Sequence, residues 1–377
     1  LIQKEGPYLT RAERPAFVES LSSDSSYFEI AFKSTDGAKN ALFSRLNRQG
    51  LLEEIEKRQA QLASLPGNQR QVAEELYAVG KELASANTTA AQRKLLTSRQ
   101  EELERQLYRL LPEIKPRIVE LEQVAASLPA SSALIEFQRF QPYDADKPRG
   151  QNWGAPRYLA LILKADATVT ALDLGPAAVI ETKIQKALHA SEQQLDDAET
   201  LWESVGNLLL DPLFSSTRGV RTLFISPDGE LNRLPFAALP APGSQQLLGE
   251  TIKLRLLTTG RELLDLEQPP PPAQSSPLVV ADPDFDQPVS STAVATATAM
   301  SSVEPSSHQH RSADLGTPHW ASLPATAKEG QVVSSLTNAR LLTKQQATAT
   351  SVQQQRGPRI LHIASHAFYL ADQSDYV

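Results

Sequence analysis

A histidine that follows a short hydrophobic segment is the residue best placed to do chemistry in this sequence. The segment 359–368 is Arg-Ile-Leu-His-Ile-Ala-Ser-His-Ala-Phe. Its residues 360–364 are mainly apolar, which is typical of a strand buried on both faces of an α/β sheet. Enzymes with an α/β sheet place their catalytic groups at the carboxyl ends of the strands. His366 is therefore a candidate general acid/base, and a hydrogen-bonded structural histidine is the alternative.

Other polar residues beside His366 suggest further chemistry. His362 lies four residues earlier, and positions four apart share one face of a strand, as two zinc ligands would. A zinc site needs further ligands, and none has suitable spacing nearby. Ser365 is adjacent to His366, but neighbouring strand residues point to opposite faces. We therefore expect neither a metal ion nor a Ser/His dyad here.

An acidic segment follows a second buried strand. Leu-Val-Val-Ala at 278–281 leads into Asp-Pro-Asp-Phe-Asp at 282–286. Capping of a turn is the favoured interpretation of these carboxylates, and binding of calcium or of a cationic substrate is the alternative. Ser-Pro-Asp-Gly at 226–229 predicts a turn before it predicts a site, and His308 and His310 are better explained by a solvated loop than by a metal. The sequence has no glycine-rich phosphate loop and no nucleophile elbow, and we expect no cofactor.

The composition excludes several classes of function. The 377 residues carry a formal net charge of -7, so no basic surface for nucleic acid is expected. No apolar run reaches the roughly 18 residues of a membrane-spanning helix, and no membrane association is expected. The sequence contains 0 cysteines, which excludes disulfides, thiolate metal sites and a thiol nucleophile within it. Because it starts without a methionine or an apolar signal core, we interpret it as a fragment.

Two patterns of apolar residues divide the sequence. Residues 1–126 have leucines at helical spacing with Glu and Arg between them, which is typical of a helical bundle or coiled coil. No complete repeat of tetratricopeptide length occurs, although the segment from Arg45 could follow an array of such repeats. From residue 127 onward, apolar runs alternate with helical segments after an opening hairpin. This alternation predicts an α/β domain with a mostly parallel sheet that is covered on both faces.

A low-complexity insertion interrupts the second region. Residues 286–320 are rich in Ser, Thr, Ala, Pro and His, and such a segment buries too little apolar surface to fold alone. We expect a disordered surface insertion, and a processing site is the weaker alternative.

Seven short motifs occur in one consistent order between residues 128 and 377. They are Leu-Ile-Glu-Phe at 134–137, Pro-Arg-Tyr-Leu-Ala at 156–160, the segment 224–239 that contains Ser-Pro-Asp-Gly-Glu-Leu, Thr-Gly-Arg-Glu-Leu-Leu at 259–264, Val-Val-Ala-Asp-Pro-Asp-Phe at 279–285, Leu-Pro-Ala-Thr at 323–326, and Ile-Leu-His-Ile-Ala-Ser-His-Ala-Phe at 360–368. Their order resembles the CHAT domain, a caspase-like peptidase module that usually follows tetratricopeptide repeats.

The resemblance implies a fold and an activity. It implies a caspase-like three-layer α/β/α sandwich with a mostly parallel sheet over residues 127–377, truncated at its C-terminus, after an α-helical linker region at 1–126. It also implies a cytoplasmic protein with a protein or peptide substrate and a regulatory protein partner bound through the helical region. The family uses a His/Cys dyad, so His366 takes the role of general acid/base. The cysteine is expected beyond Val377.

Ala367 takes a second role by the same resemblance, because its backbone N–H would contribute to the oxyanion hole. Caspase-like sites usually have glycine there, and a Cβ crowds the substrate or prevents a positive φ. Three hypotheses stay open: a regulated cysteine endopeptidase, a catalytically inactive caspase-like scaffold for protein–protein interaction, and a docking module that works through residues 1–126. Without a cysteine, the 377 residues alone are expected to be inactive.

Overall fold

The computed structural model of the chain describes residues 5–14, 17, 26–34, 36–63, 66–83, 89–111, 117–144, 146–148, 151–244, 246–266, 272–285 and 322–366. The α-helices are α1 (Ser26–Glu29), α2 (Gly37–Arg48), α3 (Leu51–Ala63), α4 (Asn68–Leu83), α5 (Ala90–Leu110), α6 (Leu121–Ala126), α7 (Ala177–Glu192), α8 (Ala198–Phe214), α9 (Leu248–Thr251), α10 (Leu263–Leu266), α11 (Pro324–Thr337) and α12 (Ala349–Gln353). The strands are β1 (Ser132–Phe140), β2 (Arg157–Lys164), β3 (Val169–Pro176), β4 (Thr222–Ser226), β5 (Lys253–Leu256), β6 (Leu278–Pro283), β7 (Arg340–Lys344) and β8 (Leu361–Ala364). Short 3-10 helices lie at Gly6–Tyr8, Ile30–Phe32, Gly229–Arg233, Phe236–Ala238 and Gly260–Glu262.

The chain forms two compact units, each built from two separate stretches of sequence. Unit 1 comprises Leu1–Arg70 and Arg105–Pro269, and unit 2 comprises Gln71–Glu104 and Pro270–Val377. The strands form two sheets, with β1–β5 in unit 1 and β6–β8 in unit 2. Pairing is parallel for β1–β4, β4–β5, β6–β7 and β6–β8, and antiparallel for β1–β2 and β2–β3. The expected α/β fold with mostly parallel strands is confirmed, with its strands shared between two sheets.

Helices cover both faces of the sheet in unit 1, whose strand order is β3-β2-β1-β4-β5. On one face, Ile135 of β1 belongs to a buried cluster with Ile180 of α7 and Leu209 of α8. On the other face, the next residue along the strand, Leu134, belongs to a cluster with Leu42 of α2. Successive strand residues point to opposite faces, so each face buries its own apolar set. Unit 1 therefore has the three α/β/α layers that the sequence predicts.

The local sequence explains the helices that cover this sheet. In α7, apolar residues at Ile180, Ile184 and Ala187 recur every three or four positions, so one face of the helix is buried. Pro176 immediately precedes α7, where its missing N–H removes no bond within the helix. The opening hairpin is confirmed, since β2 and β3 pair antiparallel across the turn at 165–168.

All strands of the unit 2 sheet run parallel, in the order β7-β6-β8. Leu278 and Val280 of the central strand β6 pack with Leu342 of β7 on one face. On the opposite face, Gly330 allows α11 to approach β6 closely, because a Cβ at this position would lie 2.6 Å from the Cβ of Ala281. Since the strands are parallel, the carboxyl ends of β6, β7 and β8 meet at one edge of the sheet.

The N-terminal region is helical, as expected, and its helices are divided between the units. Helix α2 lies in unit 1, where Arg45 forms an ion pair with Glu136 of β1. Most of α4 and α5 lies in unit 2, where the Arg356 guanidinium lies 5.0 Å from the centre of the Tyr77 ring. The compact units thus do not follow the boundary expected at 126/127, because α2 packs on the sheet. A separate linker region at 1–126 stays a prediction.

Strand β8 is more exposed than its apolar sequence suggests. We expected a strand buried on both faces, but Leu361 is 46% and Ile363 is 55% exposed. Among the described residues β8 pairs only with β6, so it is an edge strand. The expectation was wrong because an apolar run shows that a strand can be buried, and only the neighbouring elements decide whether it is.

Three further expectations concern the remainder of the chain. The low-complexity insertion at 286–320 and the oxyanion residue Ala367 lie outside the described residues. Within the described part of the chain, the helices are too short or too polar to cross a membrane.

Candidate active site

The candidate site lies at the carboxyl edge of the unit 2 sheet. Three ionisable side chains come from the ends of its three strands, with Asp282 at the end of β6, Lys344 at the end of β7 and His366 just after β8. Because the strands are parallel, these residues approach the same edge. This is the edge where the sequence predicts a catalytic group.

His366 is half-buried and packs against an aromatic ring. The centre of its imidazole lies 5.5 Å from the centre of the Phe285 ring, and the ring planes are tilted by 48°. Phe285 belongs to the acidic segment that follows β6, so two loops of this edge meet at His366. A flanking aromatic ring limits the orientations that an imidazole can adopt, which is what a general base requires.

Asp282 is buried, with 3% of its surface exposed, and three groups donate to its carboxylate. Lys344 Nζ lies 2.6 Å from Oδ2, while the Ser322 hydroxyl and the Leu323 backbone N–H donate to Oδ1 at 2.9 and 3.2 Å. Hydrogen bonding to Lys344, followed by that to Ser322, holds the pKa of Asp282 below its ordinary value despite burial. Asp282 is therefore an ionised anchor at the start of α11.

Backbone geometry at this edge is unusual. Asp282 has φ +46° and Lys344 has φ +50°, a left-handed region that residues other than glycine rarely adopt. The register of β6 and β7 shifts at Asp282, with Ala281 opposite Thr343 and Pro283 opposite Lys344. Such bulges change the direction of a strand next to functional sites.

The second histidine of the segment has a different partner. His362 Nε2 lies 2.9 Å from Glu329 Oε1 of α11, so His362 connects β8 to the covering helix. Among the residues that the structure describes, no three His, Cys, Asp or Glu side chains are grouped as a metal site. Of the two interpretations of the acidic segment, the contacts of Asp282 match the capping of a turn.

Residues 195–376 match the family model of the CHAT domain. Over these residues the chain is similar to the CHAT domain. This family is a caspase-like, peptidase-related module. The match includes β6, β7, β8 and His366, whereas the motifs at 134–137 and 156–160 precede it. No curated protein matches the chain.

Three of the seven sequence motifs, at 134–137, 224–239 and 259–264, contribute to a buried ionic network in unit 1. Arg45 Nε donates to Glu136 Oε2 at 3.1 Å, and the two side chains are 1% and 0% exposed. The other Glu136 oxygen accepts from the Gly260 N–H and the Thr259 hydroxyl, and Arg45 also donates to the Ser226 hydroxyl at 3.3 Å. The network fixes α2 on the sheet and is structural.

Sequence reasoning did not identify this network, although it singled out the three motifs that contribute to it. Arg45 and Glu136 are 91 residues apart, and no periodic pattern connects two charges over such a distance. The available signal was one charge within an apolar motif, since Glu136 stands between Ile135 and Phe137. A buried carboxylate requires a cation or hydrogen-bond donors. The sequence therefore predicts that Glu136 has such a partner but does not identify it.

The Ser-Pro-Asp-Gly motif of the CHAT domain is a turn, as predicted. Gly229 has φ +54°, and a Cβ there would lie 2.5 Å from the Tyr158 hydroxyl. That hydroxyl accepts from the Glu230 N–H and donates to Glu181 Oε1, both at 3.1 Å. Burial, followed by the Glu181 carboxylate, raises the pKa of Tyr158. Tyr158 therefore remains a neutral donor that holds the turn.

Proposed function

We propose that this CHAT domain acts as a caspase-like cysteine endopeptidase module with His366 as its general acid/base. The supporting observation is the location of His366 directly after β8, at the carboxyl edge of a parallel sheet and against the Phe285 ring. A general base has to be held by a rigid element while it stays accessible. A half-buried histidine at the end of a strand meets both conditions.

The proposed reaction is hydrolysis of a peptide bond by a thiolate. His366 accepts the thiol proton and later donates a proton to the leaving amine. The Ala367 N–H stabilises the oxyanion, and this role rests on the sequence resemblance alone. Because the 377 residues contain 0 cysteines, the activity is proposed for a protein that also carries the thiol outside this sequence.

Variants of the protein extended beyond residue 377 test the proposal. Hydrolysis of a library of quenched fluorescent peptides is compared for wild type, His366→Ala and an alanine variant of the cysteine that follows the next strand. Loss of a general acid/base is expected to lower kcat/KM by about 100- to 10,000-fold. His189→Gln is the matched control, because His189 is an exposed residue of α7 in unit 1, and this variant should hydrolyse the peptides near the wild-type rate. Equal activity of His366→Ala and wild type would refute the role of His366.

An inactive caspase-like scaffold is the second candidate function. The observation that favours it is Ala367, at the position where the resemblance implies a glycine of the oxyanion hole. The coding sequence beyond Val377 separates the two candidates. A cysteine after the next strand supports the peptidase, and any other residue there supports the scaffold.

We also propose that a regulatory protein binds the helical residues before 127 and that the protein is cytoplasmic. Exposed apolar side chains on these helices, such as Leu95 of α5, support the first part. Deleting residues 1–126 is an unsuitable test, because Arg45 belongs to the core of unit 1. Leu95→Glu should instead abolish co-purification of the partner from cells, whereas Leu266→Glu, at an equally exposed leucine of unit 1, should not. Fractionation of the same cells tests the location.

A further inference from the structure

We propose that the ion pair between Asp282 and Lys344 is a positioning device for His366. The pair fixes residues 283–285, and thereby holds the Phe285 ring against the His366 imidazole. The inference deepens the proposed function, because it assigns positioning residues to the same site. It is tested below by a measurement that does not require catalytic activity.

The carboxylate of the pair is buried and held by several donors, whereas the Lys344 side chain is 53% exposed. Asp282 is buried and its carboxylate accepts from Lys344, Ser322 and the Leu323 N–H. Lys344 Nζ also donates to the Ser322 hydroxyl at 3.0 Å. The two residues of the pair hold left-handed backbone conformations, and non-glycine residues keep such conformations only where their surroundings impose them.

Lys344 holds the loop after β6 through its backbone as well as its side chain. Its carbonyl oxygen accepts from the Asp284 N–H at 3.4 Å, and Pro283 is its partner in the sheet register. Phe285 follows Asp284 in the chain, and its ring centre lies 5.5 Å from that of His366. The path from Asp282 to His366 therefore runs through Lys344 and residues 283–285, of which Pro283 ends β6.

A second path leads from Asp282 to the same histidine through α11. Asp282 binds Leu323 at the start of this helix, and the Asp282 N–H donates to the Thr326 hydroxyl in its first turn at 3.0 Å. Further along α11, Glu329 binds His362, which lies in β8 four residues before His366. If Asp282 acted only by anchoring α11, Lys344→Met would lose its own bond to Ser322 but keep the bond from the Leu323 N–H to Asp282. Asp282→Asn would then displace His366 much further than Lys344→Met, and this difference separates the two accounts.

Nuclear magnetic resonance of His366 in the 377-residue chain tests the inference. Selective ¹³C labelling of histidine reports the imidazole Hε1–Cε1 signals, and His366→Gln assigns the signal of interest. Phe285→Leu removes the aromatic ring and therefore defines the position of the His366 signal without a ring-current shift. The test variants are Asp282→Asn and Lys344→Met, with Lys344→Arg as the conservative rescue. Glu75→Gln is the matched control, because it breaks the exposed pair with Arg99 in the same unit.

Both Asp282→Asn and Lys344→Met are expected to move the His366 signal most of the way to its position in Phe285→Leu. Lys344→Arg should keep most of the wild-type shift, and Glu75→Gln should keep all of it. The inference is overturned if the signal stays in place in Lys344→Met, if only Asp282→Asn moves it, or if wild type and Phe285→Leu coincide.

The experiment distinguishes these outcomes from misfolding of a variant and from absence of peptidase activity. Should Asp282→Asn fail to fold, as judged by circular dichroism, Lys344→Met and Lys344→Arg still decide the result. Because the measurement needs no cysteine, a protein without peptidase activity leaves the positioning result intact. A displaced signal together with normal peptide hydrolysis in the extended protein would refute the importance of the contact for catalysis.

Discussion

The buried pair of Arg45 and Glu136 gives a quantitative prediction for the stability of unit 1. Arg45→Met removes the guanidinium but keeps an apolar side chain, and it leaves the Glu136 carboxylate with only the Gly260 N–H and the Thr259 hydroxyl as donors. Removing one partner of a buried pair leaves an uncompensated charge and costs about 3–5 kcal/mol. We therefore expect Arg45→Met to lower the free energy of unfolding of unit 1 by about 3–5 kcal/mol.

The double variant Arg45→Met/Glu136→Gln separates the isolated charge from other effects of the substitution. The glutamine amide oxygen can still accept from the Gly260 N–H, and the buried charge of Glu136 is removed. The double variant should therefore be more stable than Arg45→Met alone. If the loss of stability in the double variant equals the sum of the losses in Arg45→Met and Glu136→Gln, the ion pair is not the cause.

Tryptophan fluorescence in urea measures this change within unit 1. The sequence has 3 tryptophans, of which Trp153 and Trp202 lie in unit 1. Trp320 lies outside the described residues, and all variants are made in a Trp320→Phe background. The midpoint and slope of the transition then give the free energy of unfolding.

The exposed pair of Arg157 and Asp173 in the same unit provides the control. Its nitrogen and oxygen are 2.6 Å apart, closer than those of Arg45 and Glu136, but the two side chains are 33% and 39% exposed. Asp173→Asn should cost no more than about 1 kcal/mol. An Arg45→Met variant that is no less stable than Asp173→Asn would refute the reasoning from burial.

Three further predictions concern single residues. Tyr158→Phe removes the donor to Glu181 and the acceptor for a backbone N–H, and should cost about 1–3 kcal/mol in the same urea assay. Gly330→Ala places a Cβ 2.6 Å from that of Ala281, and should lower the stability of unit 2 by about 1–3 kcal/mol in thermal unfolding, because overpacking strains the core. The pKa of Asp282 is lowered from 3.8 in the folded protein, so its ionisation stabilises the fold above that pH and the contribution is lost as pH falls through the folded pKa. Thermal unfolding between about pH 6 and pH 2 should therefore show a shallower loss of stability for Asp282→Asn than for wild type.

Each of these predictions has a control within the chain. Tyr8→Phe changes an exposed tyrosine and should be neutral. Gly80→Ala, where an added Cβ meets nothing within 4 Å, should stabilise α4 by about 0.5–1 kcal/mol. Asp196→Asn changes an exposed carboxylate and should lose thermal stability at low pH as wild type does. If Gly330→Ala and Gly80→Ala shift the stability of unit 2 in the same direction, the close approach of α11 to β6 does not explain the effect of Gly330→Ala.

The sequence predicted the positions of the strands better than their partners. The apolar runs before Asp282 and His366 marked β6 and β8, because side-chain pattern depends on neighbours along the chain. Which sheet each strand joins depends on contacts between distant residues, and no periodicity encodes them. The exposure of Leu361 and Ile363 was not predictable for the same reason.

The candidate site was predicted in part. His366 could be singled out because a polar residue followed an apolar run, and its location at the strand end agrees with the structure. The contact with Phe285 could not be predicted, because it depends on the left-handed turn at Asp282. From the sequence alone, a turn was the favoured interpretation of the acidic segment and a binding site was the alternative. The contact of Asp282 with Lys344, which lies 62 residues further along the chain, supports the turn.

The divided composition of the two units has a consequence for synthesis of the protein. Helices α4 and α5 leave the ribosome well before the remainder of unit 2, which includes Arg356, is translated. At about 5–20 residues per second, this delay is on the order of tens of seconds. Throughout that interval the apolar side chains of α4 and α5 remain without the rest of unit 2. A nascent chain stalled before residue 270 should therefore bind chaperones through α4 and α5, and release them once β6 to β8 have been made.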